Sequence, residues 1–296
     1  MPIHKSSPFN LENSDQYRQW RTSKLSRYNH TDKNTPPYFY IVFQQGRNPT
    51  PEELSKVLEH CKDDSLCLYR IKDHAQFSAS ESKKIILQLA KELGLSRLDS
   101  NICADEDNLT SITQTSHAGQ HDYIPYSNKR LSWHTDGYYN SNEQRIHAFL
   151  MHCVRPAKSG GENSYLDPEI AYILLRDENP DYIAALMHDD VMMIPANEID
   201  GKQIRPAQTG PVFFIESNSQ ALCMRYTARQ RNIVWKQDKT VQDALAFLHE
   251  ILQGSPYMFR YSLNAGEGVV CNNVLHNRAA FEDYQDENKK RMLYRG

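Results

Sequence analysis

Ser132-Trp133-His134-Thr135-Asp136-Gly137 sets an imidazole and a carboxylate two residues apart in an aromatic neighbourhood. In extended backbone, residues i and i+2 point to the same face, so His134 and Asp136 can both reach one ion from the end of a strand. A third ligand must then come from elsewhere in the chain. Two histidines and one carboxylate with open positions on the metal form the donor set of a non-haem Fe(II) oxygenase. A His-x-Asp taken alone is more often a polar pair on a surface turn, so its surroundings have to decide.

Composition narrows the field. The chain of 296 residues is 39% hydrophobic, enough for a large core, and shows no fibrous or low-complexity bias. Its net charge is −3 with both signs interspersed, and no basic run marks a nucleic-acid footprint. Met1-Pro2-Ile3-His4-Lys5 leads into polar residues, and no stretch approaches a membrane span. The expectation is a cytoplasmic protein with a small-molecule substrate and neither nucleic-acid nor membrane partners; a homo-oligomer is allowed. The 6 cysteines, at 61, 67, 103, 153, 223 and 271, include no CxxC pair and sit mostly in apolar contexts such as Ala221-Leu222-Cys223-Met224, so they read as buried free thiols. His60, Cys61, Cys67 and His74 match no common zinc spacing.

Residues 1–37 are polar, end in Asn34-Thr35-Pro36-Pro37 and read as an arm or cap with a helix around Tyr17 to Leu25. Residues 38–296 contain no linker or repeat and read as one domain. Strands are expected at Tyr38 to Phe43, Leu66 to Ile71, Ile146 to Val154 and after Gly160-Gly161, with short candidates at Val191 to Ile194, Val212 to Ile215 and Ala221 to Tyr226. Thr50-Pro51-Glu52-Glu53 opens a helix with a cap, a proline and acidic residues in order. Further helices are expected at Ser80 to Leu95, Asp167 to Arg176, Pro180 to Met187 and Thr240 to Leu252. The end is again β-rich, at Tyr257 to Leu263, Gly268 to Val274 and Arg291 to Arg295. Residues 101–130 are polar and without period, and lead directly into the His-x-Asp. Without a βαβ rhythm or a phosphate loop, the pattern is α+β and mainly β, a sandwich or jelly roll decorated by helices.

The third ligand has a candidate in His276, where the hydrophobic run Gly268-Val269-Val270-Cys271-Asn272-Asn273-Val274-Leu275 reaches a histidine and then turns polar. Trp133-His134-Thr135-Asp136-Gly137, Ser159-Gly160-Gly161-Glu162-Asn163, Val274-Leu275-His276-Asn277-Arg278-Ala279-Ala280-Phe281-Glu282 and Arg291-Met292-Leu293-Tyr294-Arg295 together resemble, in order and spacing, the Fe(II)- and 2-oxoglutarate-dependent dioxygenases of the taurine dioxygenase and γ-butyrobetaine hydroxylase superfamily. The resemblance spans about residues 120–296. It implies a double-stranded β-helix (jelly-roll) core with flanking helices. It also implies His134, Asp136 and His276 as catalytic metal ligands for Fe(II), with 2-oxoglutarate and O₂ as cosubstrates.

A facial triad leaves three positions on iron for a bidentate 2-oxo acid and O₂. The far carboxylate of 2-oxoglutarate needs a cation in a dry pocket, and arginine is a planar two-point partner. The resemblance puts Arg291 in that role, with Asn163 beside it where the family often has threonine. By the same analogy Arg295 holds an anionic group of the substrate or a second point on 2-oxoglutarate. Tyr138 is taken as a substrate contact; with Tyr123, Tyr126 and Tyr139 it could cage a quaternary ammonium group, although packing is the commoner use of such rings.

Asp136 stands where halogenating relatives carry a small residue, so the resemblance implies oxidative decarboxylation of 2-oxoglutarate to succinate and CO₂ with hydroxylation of a C–H bond in a small polar substrate. The other readings are a non-catalytic sandwich-fold binding protein and an oxygenase acting on a peptide or other macromolecule. His188-Asp189-Asp190 reads as a helix-end cap. His117 and His121 read as substrate contacts or solvated loop residues.

Overall fold

In Leu66-Cys67-Leu68-Tyr69-Arg70-Ile71 the side chains alternate between two cores: Leu66 and Leu68 enter one, Cys67, Tyr69 and Ile71 the other. A strand apolar on both faces must be covered twice, and that requirement sets the layers of the molecule. The structure, a computed structural model, describes residues 6–28, 37, 39–95, 97–98, 109–114, 124–199, 201–229, 231 and 233–296.

Along the chain, helix α1 (Ser14–Tyr28) precedes strand β1 (Tyr40–Phe43), helix α2 (Pro51–Asp64), strand β2 (Leu66–Ile71) and helix α3 (Ala79–Glu92). Strands β3 (Thr110–Thr113), β4 (Leu131–His134), β5 (Phe149–Arg155) and β6 (Asn163–Leu166) follow, then helices α4 (Pro168–Glu178), α5 (Pro180–Leu186) and α6 (Lys239–Gly254). The last strands are β7 (Phe259–Tyr261), β8 (Glu267–Cys271), β9 (Leu275–Arg278) and β10 (Met292–Arg295). One sheet has 6 strands in the order β1-β2-β8-β5-β10-β3, and another has 4 in the order β7-β6-β9-β4. Short strands between α5 and α6, among them Met192–Ile194, Gln208–Gly210 and Leu222–Met224, form separate small ribbons.

Leu66, Leu68, Phe149, Met151, Cys153, Val269, Cys271 and Leu293 of the larger sheet share a core with Tyr165 and Phe259 of the smaller one. The outer face of the larger sheet packs on α2 and α3 through Val57, Cys61, Ile85, Ile86 and Leu89. Trp133, Leu166 and Leu275, on the outer face of the smaller sheet, pack with residues of α4, α5 and α6. Because side chains alternate along a strand, His134, Tyr165 and His276 point back between the sheets.

Local signals behave as chemistry dictates. Thr50 and Glu53 form a reciprocal capping box at α2. A second box joins Ser78 to Glu81, so α3 begins at Ala79 and ends at Glu92, before the expected Leu95. The arm is more than a polar cover: Phe9, Tyr17 and Trp20 join the helical core. Buried Lys24 meets Asp167 at 2.7 Å and Glu169 at 2.6 Å and donates to the Asp63 carbonyl. Breaking such a buried group of charges is costly because the remaining charges stay desolvated. Residues 29–36, which would join α1 to the core, and Tyr38, expected to begin β1, lie outside the described residues.

Two expectations need correction. The run Gly268 to Val274 is not one strand: β8 ends at Cys271, and β9 begins at Leu275 in the other sheet. Asn273 takes a left-handed φ of 50°, a conformation asparagine tolerates better than apolar residues, and it breaks the run there. The aperiodic segment also contains the edge strand β3, paired with β10; its neighbours 101–108 and 115–123, including His117, His121 and Tyr123, lie outside the described residues. No described helix is long and apolar enough to cross a membrane.

His152 on β5 is fully buried, stacks on Tyr69, shares a hydrogen bond at Nδ1 with the Tyr69 hydroxyl at 3.2 Å, and has no partner at Nε2 among the described residues. Burial, then the nearby His74, push its imidazolium down to about 3. Between about pH 6.5 and 3 the unfolded chain therefore binds a proton that the folded chain refuses. That contribution to stability is complete above this window and is lost as the pH falls, at about 1.4 kcal/mol per pH unit. Chemical denaturation across the window should show His152→Asn with an acid limb shallower by one proton; an unchanged limb would contradict this account.

Candidate active site

His134 ends β4, and His276 lies directly opposite it in β9. This cross-strand register puts the two ring centroids 4.2 Å apart. The chain continues from His134 to Asp136 through Thr135, whose N–H donates to the Tyr226 carbonyl and whose Oγ1 accepts from the Tyr226 N–H. Asp136 Oδ1 then lies 3.6 Å from His134 Nε2 and 3.9 Å from His276 Nε2. All three donors fall within 4.8 Å of one another, and no other cluster of this kind is found among the described residues.

Hydrogen bonds behind the donors fix which atoms face inward. His134 Nδ1 meets the Ser132 carbonyl at 2.8 Å, and His276 Nδ1 meets the Val274 carbonyl at 2.9 Å. A carbonyl only accepts, so each Nδ1 carries the proton and each Nε2 offers a lone pair. Burial, then the neighbouring His134, push the His276 imidazolium down to about 3, which keeps its ring in the neutral, metal-binding form. Burial alone would raise the Asp136 carboxyl. The Arg295 guanidinium, followed by the two histidines, outweighs it and holds the group well below the usual carboxylate range.

Arg295 grips Asp136 Oδ2 through Nε at 3.1 Å and through a second nitrogen. One carboxylate oxygen is thus held from behind while the other faces the imidazoles. Asn273 sets the backbone: its Oδ1 accepts from the Asp136 N–H at 2.7 Å, and its Nδ2 donates to the carbonyls of Asp136 at 3.0 Å and Ile146 at 2.7 Å.

A cavity of about 310 Å³ opens farther along the space between the sheets, lined by Asn163, Arg291, Leu293, Asn264 and the Gly160-Gly161 turn among others. Tyr165 is paired with His276 across β6 and β9, and Asn163 is two residues along the same face, about 7 Å by strand rise. Arg291 is buried, with its guanidinium 5.1 Å from the Phe281 ring centroid. Burial lowers its pKa from the ordinary value, and no carboxylate among the described residues lies within ion-pair distance of it. The Tyr165 hydroxyl is also buried without a hydrogen-bond partner among the described residues; burial raises its pKa and Arg291 partly opposes the shift. Asp283, which accepts from the Arg291 backbone N–H at 2.8 Å, offsets part of the guanidinium's charge from a distance, and a guanidinium without a direct ion pair beside an orphaned hydroxyl fits an anionic acceptor. Gly160 permits the turn beneath them: φ is 72°, and a Cβ there would meet the Ala280 carbonyl oxygen at 2.5 Å.

Other expected residues fall as follows. The Tyr138 ring stands edge-on to His134 at 6.4 Å and to Tyr139 at 5.1 Å, while Tyr126 is buried. His188 and Asp190 pair on the surface. Cys61, Cys67, Cys153 and Cys271 are buried free thiols and Cys223 is partly buried; Cys103 lies outside the described residues.

The taurine catabolism dioxygenase TauD, TfdA family model matches residues 78–296. The chain belongs to this dioxygenase family. A uridine-5'-phosphate dioxygenase of Amycolatopsis sp is 27% identical over 174 residues, covering 55% of this chain and 60% of that protein, so the match spans less than two thirds of the relative. An asparagine oxygenase solved with Fe(II), (2S,3S)-3-hydroxyasparagine and succinate superposes with a TM-score of 0.59 at 13% identity, covering 96% of this chain and 91% of that one. The non-haem iron oxygenase OrfP, in complex with Fe, succinate and (3S)-hydroxy-L-Arg, gives a TM-score of 0.61 at 16% identity over 83% and 80% of the two chains. These likenesses show the shared fold of mixed helices and strands.

Three residues of this family member escaped sequence reasoning. Asn273 was visible only as a polar break in an apolar run. Tyr165 carries no sequence signal beyond its place in the strand expected after Gly160-Gly161. Arg278 donates to the carbonyls of Pro125, Ile124, Ser127 and Lys129 and so pins the segment that enters β4. Asn273→Gly keeps the left-handed backbone but removes three hydrogen bonds to the Asp136 region. It should weaken Fe(II) binding by about tenfold or more, measured anaerobically by chelator competition, with the fold retained. Wild-type affinity in this variant would rule out the positioning role.

Proposed function

We propose that the chain is an Fe(II)- and 2-oxoglutarate-dependent oxygenase that hydroxylates a C–H bond of a small polar molecule. The observation that carries this reading is the convergence of two Nε2 lone pairs and one carboxylate oxygen, each held from behind. His134, Asp136 and His276 would hold Fe(II) on one face. When bound, iron and 2-oxoglutarate supply oxidative decarboxylation to succinate and CO₂ coupled to oxygen insertion from O₂.

The chain's own residues position the reactants. Arg295 orients Asp136 so that Oδ1 faces the metal position, and Arg295 and Tyr138 are the candidate substrate contacts. Arg291, supported by Asn163 and the Tyr165 hydroxyl, would hold the far carboxylate of 2-oxoglutarate. The distance along β6 from the histidine level to Asn163 suits a five-carbon diacid. Leu293, Leu263 and Cys153 give that space apolar walls, which strengthens the ionic contact. The two facing sheets are read as a jelly-roll core, with residues 38–296 as one domain and 1–37 as an arm clamped to it. The curated relative's name makes a phosphorylated small molecule the first substrate class to screen.

Under anaerobic conditions, Fe(II) and 2-oxoglutarate should produce a visible metal-to-ligand charge-transfer band with the wild-type chain, and His134→Ala or His276→Ala should abolish it. Arg291→Gln should raise the 2-oxoglutarate concentration for half-saturation on the order of 100-fold while leaving Fe(II) binding intact. No band with the wild-type chain would overturn the proposal.

A further inference from the structure

The segment Arg225-Tyr226-Thr227-Ala228-Arg229 runs beside the metal motif: Thr227 bridges His134, and the Ala228 N–H donates to the Trp133 carbonyl. From this segment and its neighbour, three arginines surround Tyr138 and Tyr139. Arg229 Nη1 donates to the Tyr138 hydroxyl at 3.1 Å. Arg225 Nε donates to the Tyr138 carbonyl at 2.7 Å, and its other nitrogens reach the carbonyls of Met192, Gln208 and Gly210. Arg205 donates to the carbonyls of Tyr139, Pro206 and Pro195, with its guanidinium 5.7 Å from the Tyr139 ring centroid.

Carbonyls satisfy hydrogen bonds but cancel no charge. Among the described residues none of these three guanidiniums has a carboxylate within ion-pair distance, and Arg145 and Arg205 act on Arg225 as like charges. The acidic groups of the neighbourhood, Glu143 and Glu216, act on Arg145 instead. Arg145 and Arg225 line one small cavity together with Thr135 and Asp136, which ties the positive region to the metal motif. Arg225 is held by struts to carbonyls, whereas Arg229 is exposed and its one side-chain hydrogen bond among the described residues goes to the Tyr138 hydroxyl.

We infer that the substrate carries a phosphate monoester, bound at the Tyr138–Tyr139 segment by Arg229 and the Tyr138 hydroxyl within the field of Arg205 and Arg225. The inference rests on the oxygenase reading above and deepens it by assigning residues of this chain to the phosphate. A phosphate monoester brings up to two negative charges and three terminal oxygens. It therefore matches a forked donor, a hydroxyl and uncompensated positive charge better than a neutral polar molecule does. The edge-on pair of tyrosine rings offers an aromatic wall to the ring that the phosphate carries.

The test is anaerobic calorimetry on the chain loaded with Fe(II) and 2-oxoglutarate, titrated with uridine 5'-monophosphate, ribose 5-phosphate and uridine, with the charge-transfer band recorded on the same samples. Both phosphate esters should bind at least about tenfold more tightly than uridine, and the preference should fall with added salt. Arg229→Gln should remove most of it and leave the band unchanged, and Arg229→Lys should restore part of it. Equal binding of the nucleotide and the nucleoside, no binding of either ester, or an undiminished preference in Arg229→Gln would each overturn the inference. A normal band alongside such a result would leave the oxygenase reading standing; a missing band would overturn that reading independently, since calorimetry detects phosphate binding without it.

Discussion

The register that sets His276 opposite His134 is the constraint on which the site depends. A slip of one residue in β9 would turn His276 toward the helical layer and place an apolar side chain between the sheets. Several interactions guard against this. Leu275 and Trp133 are locked into the helical core on the other face, Arg278 ties the far end of β9 to the segment entering β4, and Asn273 joins the turn before β9 to Asp136 and Ile146. His134, Asp136 and His276 are held by the same contacts that pair the strands.

Electrostatics divides the space between the sheets into two regions. Near the histidines, Arg295 balances Asp136 and orients it. Farther along β6, Arg291 is left without a carboxylate partner among the described residues, beside a hydroxyl that also lacks one. Burying a guanidinium in this way is expensive, and a dianionic ligand with one end at the metal and the other at Arg291 would offset that cost. The positive rim at Tyr138 and Tyr139 is different, because Arg229 is exposed there and its influence depends on salt.

Much of this was legible in the residues themselves. His134 and Asp136 were visible through strand geometry, and Thr50-Pro51 marked the start of α2. The hydrophobic run that reaches His276 made it a candidate, while resemblance to a family was needed to single out Arg291 and to pair Asn163 with it; the fold does bring Asn163 and Arg291 to one cavity. The break between β8 and β9 was harder to see, because Gly268 to Leu275 is apolar nearly throughout and periodicity does not reveal a change of sheet. Only the conformational tolerance of Asn273 marks it. The contact between Arg295 and Asp136 and the orphaned Tyr165 hydroxyl depend on packing between distant strands, which no local pattern encodes.

The most direct test of the central claim is an anaerobic crystal structure with Fe(II) and 2-oxoglutarate. The account predicts iron bound by His134 Nε2, His276 Nε2 and Asp136 Oδ1, with Arg295 still on Asp136 Oδ2 and the far carboxylate of 2-oxoglutarate on Arg291. Iron held by other residues, or 2-oxoglutarate lying away from Arg291, would contradict it.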